Sequence, residues 1–264
     1  MALSLEQELF SVTSGLGNQI GGNMLRITTE GAAQLKRALS DIERRQLPFA
    51  TALALSRTAQ MVKGAEIEEM KRVFDAPTRF TLNSLFVRPA KKNRLEAVVW
   101  VKDYASKADA PTRWLLPEVM GGERGNKRSE KLLRARGILS AGRYLMPGRD
   151  MPLDSSGNVS RGRMQKVLSG LGAQGDRYAN STTSRRSIKN KRRFFVLGRG
   201  ASALGIAERT GKKGSGAFKL LLAFGGAPVY RDRFDFFGVA DRITRQSLPG
   251  QMQKAMDEAI LGAK

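Results

Sequence analysis

The stretch Leu47–Phe74, LPFATALALSRTAQMVKGAEIEEMKRVF, decides how the first half of the chain folds. It is rich in alanine and other small residues, which predicts a long helix packed closely against its neighbours. Pro48 fits the first turn of that helix, where proline is tolerated. Asp75-Ala-Pro77 ends it. The sequence therefore predicts a core helix that begins at Pro48.

Further elements flank this helix on both sides. Upstream, residues 31–46, GAAQLKRALSDIERRQ, repeat apolar side chains at helical spacing and predict a separate helix. Downstream, a short helix, PTRFTLNS, leads to Leu85–Arg88 and Leu95–Lys102, two β-prone runs joined by the turn cluster PAKKN. Residues 31–102 are thus predicted to be helices and a β-hairpin of the core.

The C-terminal part of the chain continues this regular pattern. RFFVLG, ALGIAER and AFKLLLAF are apolar runs separated by glycine-rich turns, which predicts a β-meander. Two helices, DFFGVADRITRQS and LPGQMQKAMDEAILG, follow. We therefore predict an α+β fold with N-terminal helices, a β-hairpin plus a β-meander forming one antiparallel sheet, and C-terminal helices. Residues 194–264 complete the core in this prediction.

Two segments fall outside the predicted core. Residues 1–30 contain four glycines and show no strong period, which predicts an arm that orders on a neighbouring subunit. Residues 103–193 collect Gly, Ser, Asn and Pro clusters around short helical patterns. They are predicted to form a long basic, loop-rich insertion.

The composition restricts the function. The chain carries 46 lysines and arginines against 24 aspartates and glutamates, a net charge of +22, which favours a polyanion, an acidic protein surface or a membrane as partner. It has no cysteine and no histidine, which excludes disulfides, thiolate metal sites and the commonest general base. We expect no enzyme activity, no catalytic residue, no cofactor and no metal. The N-terminus lacks the pattern of a secretory signal and no apolar run approaches a membrane span, so we expect no membrane association.

More than half of the net charge of +22 lies in the middle of the chain, since residues 103–193 hold twenty basic and eight acidic side chains, a net charge of +12. Within them, a run of six cations precedes Phe194 without an acidic residue. One interpretation is a solvated loop leading into a strand that starts near Phe194; the other is a contact surface for a polyanion. No nucleic-acid recognition signature accompanies the run, so nucleic-acid contacts are expected at phosphates. The candidate residues are Arg185, Arg186, Lys189, Lys191, Arg192 and Arg193.

Three other patterns call for an interpretation. Gly170–Gly175, GLGAQG, matches G-x-G-x-x-G, but a helical pattern precedes it, so the context of a dinucleotide motif is missing. Asp232 and Asp235 are interpreted as favouring the N-terminus of the following helix rather than as metal ligands. Six aromatic side chains are interpreted as core residues, with base stacking as the alternative: Phe80, Phe86, Trp100, Trp114, Phe194 and Phe195.

The order of elements resembles the phage tail-completion proteins of the minor tail protein Z type. The resemblance covers residues 40–102 and 190–262: a small-residue helix containing ALALSRTA (Ala52–Ala59), a basic short helix, a strand hairpin, and an ending that runs through KLLLAFGGAPVY to the last helices. It implies a structural virion protein, a connector component at the head–tail junction of the tail, made in the host cytoplasm. The basic insertion departs from the compact family pattern.

The resemblance also implies partners. Such a protein assembles as a homo-oligomeric ring, touches other tail and head–tail junction proteins, and lies where it can contact DNA in the channel without sequence preference. Charge alone supports an alternative, a sequence-independent nucleic-acid-binding protein.

Overall fold

The computed structural model describes residues 10–13, 24–29, 41–106, 109–211 and 215–261, and of residues 10–13, 24–29 and 41–45 the backbone only. The chain divides into two compact units. The described residues up to 121 and from 231 onward form one of them, the terminal unit. Residues 122–230 belong to the other, the inserted unit.

Helices and antiparallel sheets both occur in the described part of the chain, so the predicted α+β class is confirmed. The helices there are α1 (Asp41–Val73), α2 (Arg79–Leu82), α3 (Thr112–Met120), α4 (Arg128–Ala135), α5 (Arg161–Gly170), α6 (Ile188–Arg193) and α7 (Phe236–Leu261). The strands are β1 (Phe10–Thr13), β2 (Met24–Thr29), β3 (Leu85–Arg88), β4 (Glu96–Val101), β5 (Gly122–Glu123), β6 (Tyr144–Pro147), β7 (Phe194–Leu197), β8 (Gly205–Arg209), β9 (Phe218–Gly225) and β10 (Val229–Tyr230).

The terminal unit is built around the long helix α1. Ala50, Ala54 and Ala59 are fully buried, and such small side chains allow a second helix to approach closely. That helix is α7, and Arg57 of α1 binds Glu258 of α7 at 2.8 Å. α1 also packs on β3 and β4, through the buried residues Leu85, Val87, Ala97, Val99 and Val101.

Two prolines lie inside helices rather than at their starts. α1 runs through Pro48 and α7 runs through Pro249, so the predicted helix boundaries at these residues are wrong. A proline inside a helix lacks the N–H that would bond to the carbonyl four residues earlier. The buried residues beyond each proline, such as Ala50 and Ala255, keep the helices in the core. Residues 31–40 of the predicted first helix lie outside the described residues.

The sheet of the terminal unit has the strand order β1-β2-β4-β3. β2 pairs antiparallel with β4, in a register that runs from Met24 opposite Trp100 to Thr28 opposite Glu96. Part of the predicted arm therefore belongs to the sheet of its own chain, which corrects the expectation that residues 1–30 order only on a neighbouring subunit. The rest of the arm, apart from β1, lies outside the described residues.

This pairing predicts the effect of deleting residues 2–28. We expect the shortened chain to be less stable, because β4 loses the ladder that β2 provides and becomes exposed along one edge. Thermal unfolding followed by circular dichroism should show a lower melting temperature, by about 2–4 °C for each kcal/mol lost. An unchanged melting temperature combined with lost self-association would instead favour the interpretation of residues 1–30 as an arm that orders on a neighbouring subunit.

The inserted unit contains a second four-stranded antiparallel sheet, with the order β6-β9-β8-β7. Its last three strands match the predicted meander, whereas β6 was not predicted. On one face of this sheet, Phe194, Ile206 and Leu222 are buried with Leu133 of α4 and Val167 of α5. The inserted unit therefore has a hydrophobic core of its own.

The hairpin and the meander do not share a sheet, which corrects the expectation of a single one. β3 and β4 lie in the terminal unit, whereas β7, β8 and β9 pair with β6 in the inserted unit. The inserted segment is thus 122–230 rather than 103–193. β5 pairs with β10, placing Gly122 opposite Tyr230, so the two ends of the inserted unit are neighbours.

Candidate polyanion-binding surface

The inserted unit carries most of the net positive charge of the chain. Residues 122–230 contain 23 lysines and arginines and 6 aspartates and glutamates, a net charge of +17 out of +22. Two of the six carboxylates, Glu130 and Glu208, are buried, and each binds arginine. A compact unit with this excess attracts phosphates at ordinary ionic strength.

The six predicted contact residues lie in α6 and just before it. Arg185 and Arg186 precede the helix, and the other four occupy it: Lys189, Lys191, Arg192 and Arg193. All six are exposed. The last part of the stretch is helical rather than the predicted loop, and β7 begins directly after it at Phe194, as predicted.

Hydrogen bonds connect the N-terminal side of α6 to its surroundings. The hydroxyl oxygens of Thr182, Ser184 and Ser187 lie 2.8–3.0 Å from one another. Nδ2 of Asn190 donates to the carbonyl oxygen of Lys166 in α5 at 3.1 Å. The Asn190 contact joins α6 to α5, and the hydroxyl contacts hold the segment just before α6, so the exposed cations extend from a backbone that is held in place.

Glu208 of β8 fastens the C-terminal end of α6. Glu208 is 4% exposed, and its carboxylate binds both Arg193 of α6 and Arg163 of α5. A buried carboxylate between two guanidinium groups makes strong, charge-assisted hydrogen bonds to both. The Arg193 side chain stays 46% exposed. Arg193 is therefore an anchor of the helix as well as a member of the predicted surface.

Arg209 adds a further cation beside α6. Its Nη1 donates to the carbonyl oxygen of Arg192 at 2.8 Å, and its guanidinium carbon lies 4.3 Å from the centre of the Phe195 ring. The cation–π contact holds this side chain against the sheet. Arg209 is not among the six contact residues predicted from the sequence. Its position at the polar end of the strand ALGIAER is the signal that could have marked it.

The other sequence patterns do not form a site. In the ranges that the structure describes, no three acidic side chains converge as metal ligands would. Asp235 accepts a hydrogen bond from the backbone N–H of Gly238 at 3.0 Å, at the start of α7, which fits its interpretation as a residue of the helix N-terminus. Gly170 ends α5 and Gly172 has a φ of +68°, so the glycine stretch follows a helix, as its context predicts.

The aromatic candidates divide between core and surface. Phe194 is 3% exposed and belongs to the core of the inserted unit. In the terminal unit, the ring centroids of Phe86 and Trp100 lie 4.6 Å apart and those of Phe80 and Trp114 lie 6.2 Å apart. Phe80 and Phe86 are 44% and 45% exposed. The interpretation as core residues is therefore wrong for these two.

Comparison with protein-family models, with curated proteins and with solved structures finds no match to this chain. Within the described ranges, no helix combines the length and the apolar character needed to span a bilayer. The function must therefore be inferred from the charge and geometry of each unit and from the resemblance of residues 40–102 and 190–262 to the minor tail protein Z type.

Proposed function

We propose that this chain is a structural virion protein of the tail-completion type, which acts at the head–tail junction and contacts duplex DNA through its inserted unit. The observation that carries the DNA contact is the net charge of +17 on one compact unit. The setting in the virion rests on the resemblance of residues 40–102 and 190–262 to the minor tail protein Z type.

The cations at α6 suit phosphates rather than base edges. α6 has six residues and is therefore about 9 Å long, which is short for a helix that reads bases along a groove. Lysine and arginine contacts to the DNA backbone position a protein without conveying sequence. We therefore expect similar affinity for unrelated duplexes and a steep loss of affinity as salt increases.

The terminal unit offers surface for contacts between proteins. Four of its large side chains are between 44% and 75% exposed: Phe80, Phe86, Met120 and Tyr104. Aromatic residues and methionine are enriched in protein interfaces. In the proposed ring, such residues join neighbouring copies or adjoining tail proteins, and the inserted unit meets the DNA.

The same charge supports a second candidate, a sequence-independent nucleic-acid-binding protein that acts outside a virion. The two functions differ in assembly. A tail-completion protein forms a defined oligomer and becomes part of the particle, whereas the second candidate coats nucleic acid without becoming part of a particle.

Mass spectrometry of purified phage particles, combined with negative-stain microscopy of the purified protein, separates the two. We expect the chain in the particles and ring-shaped oligomers on the grid. Absence from the particles, together with monomers that coat added DNA, would exclude the virion role and favour the second candidate.

A further inference from the structure

The sheet of the inserted unit has a second face, opposite its hydrophobic core. Because side chains alternate along a strand, Phe195 points away from the buried Phe194. The strand register brings Ala207, Arg209 and Phe218 to the same face. Phe218 is 47% exposed, and its ring meets the ring of Phe195 edge-on with the ring centroids 5.9 Å apart. This face therefore presents aromatic rings at the surface of the protein.

Cations border the aromatic pair. Arg209 stacks on Phe195 at 4.3 Å and reaches the carbonyl oxygen of Arg192, at the end of α6. The adjacent carboxylate of Glu208 lies on the other face of β8, where it binds two arginines. The arrangement combines exposed aromatic and guanidinium planes with the positive charge of α6, and its nearest carboxylate in sequence is turned away.

We propose that this face binds single-stranded nucleic acid. Unpaired bases stack on the ring of Phe218 and on the guanidinium plane of Arg209, and the phosphates follow Arg192 and the other cations of α6. Aromatic rings and arginine planes stack with every base, and a basic surface follows the backbone, which gives binding without sequence preference. The bases of a duplex are paired and stacked, so stacking on Phe218 and Arg209 is specific to a single strand, whereas the cations of α6 serve both ligands.

Charge favours this ligand over a second copy of the chain. A second inserted unit would bring another +17 to the same face, and opposing like charges suppress association. The face also carries Met146 of β6, which is 42% exposed and pairs with Ala223 on the neighbouring strand β9. An acidic protein is the remaining competitor, because it could cover the apolar part of the face.

Fluorescence anisotropy of the full-length protein tests this assignment, with a labelled oligothymidylate and a labelled duplex of equal length as probes. Phe218→Ala should weaken oligothymidylate binding about tenfold or more, since it removes one stacking ring, and should leave duplex binding unchanged. Phe218→Tyr keeps the ring and should restore the affinity. Tyr178→Ala is the matched control, because Tyr178 is 88% exposed and lies beside Arg177, but is outside the sheet.

Each result decides for or against the assignment. Selective loss of oligothymidylate binding in Phe218→Ala, with rescue by Phe218→Tyr, supports it. An equal loss on both probes, or no loss, overturns it. Altered binding of polyglutamate or altered self-association, without a change on oligothymidylate, overturns it in favour of a protein ligand. Failure of the duplex proposal is distinguishable, because it appears as weak duplex binding by the unmodified protein.

Discussion

Glu66→Gln is expected to stabilise the terminal unit by a few kcal/mol at pH 8. Glu66 lies on α1 and is fully buried, and neither of its carboxylate oxygens has a hydrogen-bond partner among the described residues. Burial is the main cause that raises the pKa of Glu66, the nearby charges of Asp235 and Glu69 add to it and Arg242 opposes them, and the pKa reaches about 9. Glutamine has almost the same shape and carries no charge at any pH.

The sign of the pH dependence follows from this raised pKa. Between the ordinary value of 4.5 and about 9, the folded chain keeps a proton on Glu66 that the unfolded chain has released. The stability of the unmodified protein should therefore fall as pH rises through this window, by up to about 1.4 kcal/mol per pH unit. The glutamine variant should lack this slope.

Urea unfolding at pH 5, 6.5 and 8 measures the effect. Glu68→Gln is the matched control, since the Glu68 side chain is 70% exposed and pairs with Lys71 on the surface of the same helix. It should change stability by less than about 0.5 kcal/mol. If the protein and its Glu66→Gln variant lose stability equally between pH 5 and 8, Glu66 is not held neutral in the folded chain.

Glu130→Ala is expected to destabilise the inserted unit by about 3–5 kcal/mol, the usual effect of removing one partner from a buried ion pair. Glu130 is fully buried, and it binds Arg124, itself 5% exposed, at 2.7 Å. It also accepts hydrogen bonds from the backbone N–H of Lys127 at 2.6 Å and of Leu145 at 3.0 Å. The substitution leaves the buried guanidinium without its carboxylate, close to the point where the ends of the inserted unit meet.

Hydrogen exchange followed by mass spectrometry should locate this loss. We expect faster exchange in residues 122–230 and unchanged exchange in α1 and α7. Glu123→Ala, which changes an exposed neighbour on β5, should leave exchange in both units unchanged.

Although burial alone would raise the pKa of Glu130, hydrogen bonds from Arg124, Leu145 and Lys127 lower it. Its contribution should therefore be present at neutral pH and disappear only as the pH falls below about 4.5. Equally faster exchange in both units of the Glu130→Ala variant would contradict the expectation that the effect is confined to the inserted unit.

Local patterns in the sequence were sufficient for most elements of regular structure. The alanine-rich stretch forms α1, and the three apolar runs after residue 193 form β7, β8 and β9. The boundary predicted at Pro48 was wrong because proline is common in the first turn of a helix and costs about 3 kcal/mol or more inside one, whereas α1 contains it in its interior. β6 was missed because it is short and ends at Pro147. It lies at a sheet edge, where proline is tolerated.

Long-range pairing could not be predicted in the same way. β9 has β6 as its second neighbour rather than a strand of the hairpin, and no local periodicity specifies that choice. Glu208 binds arginines 15 and 45 residues away, so its role at α6 was not visible in the sequence. The charge of the basic run was visible, because exposed cations need no partner within the fold.

The most direct test of the central claim is the salt dependence of duplex DNA binding. The α6 variant replaces five cations with serine and leaves Arg193 paired with Glu208. The five replaced residues are Arg185, Arg186, Lys189, Lys191 and Arg192. The matched control removes five other exposed cations of the inserted unit: Arg128, Lys131, Arg136, Arg149 and Arg199. Each lost phosphate contact should reduce the slope of log affinity against log salt by about 0.9. We predict a clearly smaller slope for the α6 variant than for the control, on two unrelated duplexes. Equal slopes for both variants, or no binding by the unmodified protein, would contradict the proposed DNA contact at α6.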